Sequence, residues 1–302
     1  MSSGDTRHRD RPLALVKGAG DLATGVGWRL HRVGFDVLMT EAERPTVIRR
    51  TVAFAEAVYE GLVVVEGVEA VLVDGPSAAR SAFERDEVAV MVDPSCAVAL
   101  TMHPVLVVDA IIAKKNLGTA MSDAPAVVAL GPGFRVGTDV HAVVETMRGH
   151  DLGRVLWEGE ALPNTGVPGE IGGASAERVL RAPKAGVFAG SKRIGDRVCA
   201  GDVVADVDGA PVTTTIDGVL RGMLRSGLSV TPGFKVADVD PRAKPEHCLT
   251  ISDKALAVAG GVLEAAGVLL GGFLPGSAPR PVVAAPAAVS DGAASGALSQ
   301  ED

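Results

Sequence analysis

The apolar run Leu13–Lys17 ends directly on Gly18-Ala-Gly20-Asp-Leu-Ala23, and a helix-length segment begins at once. From Asp21 to Val33, the residues Leu22, Val26, Leu30 and Val33 form one apolar stripe at helical spacing, and Gly34 follows as a stop. A strand, a G-x-G-x-x-A turn and a helix in that order is the dinucleotide fingerprint in the setting it requires. Gly18 permits the tight turn, Gly20 lets backbone N–H groups approach a phosphate, and small Ala23, helped by Gly27, lets the helix lie close to a sheet. The helix N-terminus adds partial positive charge where an anion would sit. Glu41, 21 residues beyond Gly20 at the end of the next strand-like run, is placed to accept from a ribose hydroxyl. Asp21 either caps the helix or opposes a pyrophosphate.

Further strand-like runs follow at Leu62–Val73, Val88–Val92, Val105–Asp109, Ala126–Leu130 and Arg154–Trp157, with helix-length segments between several of them. That alternation predicts an α/β, Rossmann-like, mainly parallel sheet with helices over residues 12–180. From Ala182 the pattern changes to short strands broken by Gly-Asp and Asp-Gly turns. Gly195-Asp-Arg-Val198 through Val207 recurs as Gly227-Leu-Ser-Val230 through Val239, and Gly186-Val187 recurs as Gly218-Val219, always 32 residues later. Two copies of one four-strand unit predict a small all-β lipoyl/biotinyl-like barrel-sandwich hammerhead over 181–250. A C-terminal helix is expected over 251–274, with disordered segments at 1–11 and 275–302. The expected hairpin tip of the β-domain, Asp206 to Pro211, contains no lysine. Covalent biotin or lipoate is therefore not expected, and a docking or lid role is.

Composition narrows the partners. Net charge is −8 with no block of Lys or Arg, which argues against nucleic acid and anionic membranes. Three well-separated cysteines suggest neither a disulfide framework nor a zinc site, and His103, His141 and His150 lack metal-ligand spacing. The start of the chain is polar, without the apolar core of a signal peptide. The one long apolar stretch, Ala255 to Leu274, carries Glu264 and five glycines, so it reads as a packed helix rather than a membrane span. A cytoplasmic location is expected.

Ligands of open parallel sheets bind outside the carboxyl ends of the strands. Asp93 and Asp109 stand at two such ends, Gly131-Pro-Gly133 follows a third, and Lys114-Lys115-Asn116 follows Asp109. The two lysines could meet phosphates, and the amide could read a base or pterin edge. Arg49 and Arg50 could clamp an anion. The candidate cofactor-binding set is therefore Gly18, Gly20, Asp21, Ala23, Glu41, Arg49, Arg50, Asp93, Asp109, Lys114, Lys115, Asn116, Gly131 and Gly133. Candidate catalytic groups are Asp109, Cys96 and His141, and no metal site is expected.

Several runs carry a family resemblance: Lys17-Gly-Ala-Gly-Asp-Leu-Ala-Thr-Gly25, Thr40-Glu-Ala-Glu-Arg-Pro45, Arg49 to Tyr59, Val108 to Asn116, Gly131-Pro-Gly-Phe134, Pro163-Asn-Thr-Gly166, Asp238-Val-Asp-Pro-Arg242 and Ile251-Ser-Asp-Lys254. Together they resemble the YqeB family, accessory proteins of selenium-dependent molybdenum hydroxylase systems, over about residues 12 to 270. The resemblance implies a role in maturing or supplying the cofactor of a xanthine-dehydrogenase-type hydroxylase. It also implies partners among the hydroxylase subunits or other cofactor-maturation proteins. It assigns no catalytic residue. The expected ligand is a dinucleotide, molybdopterin dinucleotide or NAD. The alternatives are an NAD(P)-linked oxidoreductase with Asp109 or His141 as acid/base, and a non-enzymatic scaffold docking on the hydroxylase.

Overall fold

The computed structural model describes residues 11–166 and 169–272. The expected disordered segments, 1–11 and 275–302, fall outside these residues apart from Arg11. The chain opens with β1 (Leu13–Lys17), α1 (Asp21–Arg32) and β2 (Asp36–Glu41). The single-turn α2 (Ala57–Glu60) precedes the hairpin β3 (Leu62–Val65) and β4 (Val68–Val73). Then come α3 (Pro76–Glu84), β5 (Val88–Val92), β6 (Leu106–Asp109), β7 (Ala126–Leu130), β8 (Ala142–Val144) and β9 (Val155–Leu156). These strands form one nine-stranded sheet in the order β3-β4-β5-β2-β1-β6-β7-β8-β9. The stretch expected as one strand, Leu62–Val73, is a hairpin because Glu66 and Gly67 both take positive φ, as a two-residue hairpin turn requires.

The second part holds β10 (Val179–Arg181), β11 (Gly186–Gly190), β12 (Arg197–Val198), β13 (Val203–Val207), β14 (Ala210–Thr213), β15 (Gly218–Met223), β16 (Ser229–Val230) and β17 (Lys235–Asp240). They make two four-stranded sheets, β10-β17-β15-β12 and β14-β13-β11-β16. The helix α4 (Asp253–Leu269) closes the described chain.

The expected Rossmann-like fold with a carrier-type barrel is corrected by this architecture. The large sheet is mixed, because β3 and β9 run antiparallel to their neighbours at its two edges. Helices are few. Only α1 and α3 exceed one turn among the connections within that sheet. The links after β5, β6 and β7 carry Pro94, Pro104, Pro125 and Pro132 and left-handed residues such as Cys96, Ile112, Lys114 and Gly133, which do not sustain helical hydrogen bonding. The barrel expected over 181–250 is replaced by two four-stranded sheets, one of which takes in β10, whose Val179 and Leu180 precede that span. The 32-residue repeat does span four strands: β10, β11, β12 and β13 return as β14, β15, β16 and β17, and exchanging the two sets turns one four-stranded sheet into the other.

Three apolar clusters support this arrangement. One face of the large sheet packs on α1 and α4, with Leu30, Met39, Phe54, Val108 and Val262 buried among them. The other face packs on α3 and its neighbours through Leu15, Leu38, Phe83 and Val127. The third cluster fills the β-rich part around Phe188, Leu220 and Val236, and Ile48 reaches into it from the large sheet's side. α4 starts where Ser252 accepts a hydrogen bond from the Ala255 N–H at 3.2 Å, an N-cap. Its close approach to α1 is possible because Gly25 has no side chain. A Cβ there would sit 3.0 Å from the Ala255 Cβ. The packing brings the first turns of both helices to one place.

A basic crevice beside the glycine turn

A cavity of about 610 Å3 lies between the carboxyl edge of the large sheet, the starts of α1 and α4, and the β-rich part. Cations dominate its lining. Arg49, Lys114, Arg148 and Lys254 come from the first part and α4, and Arg178, Arg181, Arg221 and Lys235 come from the β-rich part. The lining carboxylates among the described residues are Asp21, Glu145 and Asp238. Two more acids, Asp240 and Asp253, pair with lining arginines from behind. Cations remain in excess, in a chain whose net charge is −8.

The two most buried members define its character. Arg49 is 6% and Arg221 5% exposed, and the Nε of each has no hydrogen-bond partner among the described residues. Arg49 donates to the carbonyls of His247 and Thr250 at 3.1 and 3.2 Å and lies 3.5 Å from the Asp21 carboxylate. Arg221 has Asp240 at 3.5 Å. Burying two guanidinium groups with unmet donors costs free energy, which a nearby anion would offset. Lys114 and Lys254 have no ion-pair partner among the described residues. Partial burial pulls the Lys254 ammonium below its ordinary range, and nearby Arg148 adds to that.

Glu145 organises the crevice from the end of β8. Its carboxylate is buried and accepts from the N–H groups of Thr146 and Met147 at 2.7 Å and of Leu162 at 2.8 Å. The turn so fixed presents Arg148, which grips Asp253 in the first turn of α4 with bonds of 2.9 and 3.1 Å. That grip, with the backbone of Lys254, holds the Asp253 carboxyl well below the usual carboxylate range. Arg178 is pinned by Asp238 at 2.5 Å and by the Gly169 carbonyl.

A second cavity of about 480 Å3 adjoins the first at the glycine turn, lined by Gly18, Gly20, Asp21, Ala23 and Glu41. Gly18 has φ +92°, and a Cβ there would meet the Ala110 carbonyl at 3.2 Å, so both conformation and proximity demand glycine. Glu41 does not stand free to meet a ribose. Its carboxylate reaches back and accepts from the Ala19 N–H at 3.0 Å and the Ala42 N–H at 2.8 Å. One amide expected to cradle a phosphate is thus already satisfied by the protein's own anion.

The remaining candidates divide clearly. Arg50 is a strut, with its Nε donating to the Met223 carbonyl at 2.8 Å and its guanidinium 3.6 Å from Glu56. Asp93 is buried and organises its own loop, accepting from the N–H groups of Ala97, Val98 and Ala99 and from the Ser95 hydroxyl. Asp109 is buried, takes a 2.6 Å bond from the Thr119 hydroxyl, and burial pushes its carboxyl up. Lys17 donates to the same hydroxyl and to Asp123, completing a closed network. Asn116 ties down Gly118, Thr119 and Asp139. Lys115 gives its backbone to a close approach, because a Cβ on Gly133 would sit 2.6 Å from the Lys115 Cα. Gly131, with φ +71°, likewise makes room for the Thr146 hydroxyl. Cys96 is buried beside the Thr40 hydroxyl at 3.2 Å, and burial pushes its thiol up, against a thiolate nucleophile. His141 sits at the opposite edge of the sheet, its Nδ1 accepting from the Val127 N–H at 3.0 Å. Of the sequence-derived set, the structure brings Gly18, Gly20, Asp21, Ala23, Glu41, Arg49 and Lys114 to the two joined cavities.

Sequence reasoning missed Glu145, Arg148, Arg178, Arg181, Arg221, Lys235 and Lys254 as site residues. They are scattered over more than a hundred residues of chain, and no local pattern joins them. A signal existed only in the runs that carry the family resemblance, since Asn164 to Gly166, Asp238, Ser252 and Lys254 all line the crevice.

No family model matches the chain. Solved structures with some likeness include an aspartoacylase family protein from Mesorhizobium loti, with TM-score 0.24, 12% identity, 76% of this chain and 85% of that one covered. The ectoine utilization protein EutE (DoeB) from Ruegeria pomeroyi gives TM-score 0.23 at 12% identity, covering 76% of this chain and 86% of its own. A succinylglutamate desuccinylase/aspartoacylase from Rhodobacter sphaeroides gives 0.22 at 17% identity, covering 76% and 85%. At those scores the likeness carries no argument about activity. The uncharacterized protein YqeB of Escherichia coli K12 is 49% identical over 258 residues, 85% of this chain, and the chain spans about half (48%) of that relative's length. That identity supports a YqeB-like family for the chain.

Proposed function

We propose that this protein binds a phosphate-bearing ligand of the nucleotide type, such as a molybdopterin dinucleotide, in the basic crevice at the start of α1. We further propose that it serves there as a cytoplasmic accessory factor in maturing a selenium-dependent molybdenum hydroxylase, with hydroxylase subunits or cofactor-maturation proteins as partners. The observation that carries the binding reading is the pair of buried arginines, Arg49 and Arg221, which both line a cation-rich cavity and whose Nε atoms have no hydrogen-bond partner among the described residues. Two helix N-termini opening onto the same cavity add to its preference for an anion. The pathway assignment rests on the family resemblance alone.

Binding is tested by a thermal-shift titration of wild type and Lys254→Met against pyrophosphate, CTP, NAD and molybdopterin dinucleotide. A ligand present at 100 times its Kd adds about 2.7 kcal/mol of stability, a readily measured melting shift. The expected result is a shift with phosphate-bearing ligands that weakens several-fold in the variant. A well-folded protein that shows no shift with any of them overturns the reading.

A further inference from the structure

The two cavities join around the first turn of α1, since Asp21, Leu22 and Ile112 line both. Their chemistry is opposite. Among the described residues no cation lines the glycine-turn cavity. Its charged groups are the carboxylates of Asp21 and Glu41, and Val47, Pro94, Ile111 and Leu117 supply apolar surface. A phosphate placed there would face two carboxylates, and the Ala19 N–H that would greet it is already bonded to Glu41. Repulsion from two nearby like charges outweighs what one helix N-terminus returns. Each Glu41 oxygen has accepted one backbone N–H and keeps a lone pair for a further donor.

We infer that the glycine-turn cavity is a ring subsite: it takes an uncharged heteroaromatic ring carrying N–H donors, held toward Glu41, while phosphates joined to that ring lie in the basic crevice. The polarity is the reverse of the dinucleotide fingerprint, in which the glycine turn holds the phosphates. Apolar walls and acceptor groups suit a flat ring with amino or imino edges, as purines, cytosine and pterins have. The inference rests on the crevice being a phosphate site, and deepens it to a heterocyclic diphosphate.

Isothermal titration calorimetry of the full chain with pyrophosphate, ADP, GDP and CDP separates the two ideas. Leu117 is 55% exposed, so Leu117→Asn alters the rim of the ring cavity without touching a core. At least one nucleoside diphosphate should bind tenfold or more tightly than pyrophosphate. Leu117→Asn should reduce that advantage threefold or more while leaving pyrophosphate binding unchanged. If pyrophosphate binds as tightly as every nucleoside diphosphate, or if the variant leaves the advantage intact, the ring subsite is overturned and the phosphate site stands. If none of the four binds, the phosphate reading fails and the subsite falls with it.

Discussion

At the scale of single residues, several positions that read as ligand contacts turn out to hold the backbone in shape. Asp93 satisfies three loop amides at once, so Asp93→Ala leaves buried donors unmet and should cost about 2–3 kcal/mol in chemical denaturation, with ligand affinity little changed. Gly18→Ala forces an L-residue to φ +92° against the Ala110 carbonyl, and the expected loss is about 1–3 kcal/mol by the same measurement. Arg148 and Asp253 give a pH signature. The Asp253 carboxyl is held low in the folded state, so its contribution is present above the unfolded pKa near 4 and is lost as pH falls below it. Asp253 is well exposed, so the contribution is below about 1 kcal/mol. Arg148→Met should therefore be less stable than wild type at pH 7, and the difference should shrink in melts below pH 4.

At the scale of elements, the contact of α4 with its neighbours sets the geometry of the crevice. Two adjacent glycines in α4 make this testable. A Cβ on Gly261 would run into the Gly153 carbonyl, whereas Gly260 has nothing within 4 Å. Helix propensity favours alanine over glycine by about 1 kcal/mol at both positions. At Gly260 nothing opposes that gain, so Gly260→Ala should raise the melting temperature. At Gly261 the backbone collision, worth about 1–3 kcal/mol, should win, and Gly261→Ala should lower it. A rise in both variants would mean that α4 can move away from the 153 turn without cost.

At the scale of the whole molecule, the β-rich part is joined to the large sheet by a strap of consecutive residues. Ile48 accepts from the Met223 N–H at 2.7 Å, Arg49 reaches the carbonyls of His247 and Thr250, and Arg50 reaches that of Met223. Arg225 adds a lock, stacking over Tyr59 at 4.3 Å and pairing with Glu56 and Glu60. The crevice draws its cations from both sides of this strap, so it exists only while the two parts stay docked. Among the described residues no helix is long and apolar enough to cross a membrane, and the apolar α4 spends its surface on α1 and the sheet instead.

The sequence by itself determined local matters. The run Leu13–Lys17 had to be a strand and Asp21–Arg32 a helix, because their apolar periods differ and a positive-φ glycine parts them. The 32-residue repeat marked where strands recur, since turn glycines and alternating valines are short-range signals. Tertiary structure alone decided the sheet's mixed order, because an edge strand such as β9 carries no pattern that states which way it pairs. It also decided the site. Charges from β8, β10, β15, β17 and α4 converge only after long-range packing, and a carboxylate such as Glu41 reads as a ligand contact until its backbone partners are in view. Periodicity is fixed over a few residues by local sterics, whereas the neighbours of a charge are fixed by contacts between segments far apart in the chain.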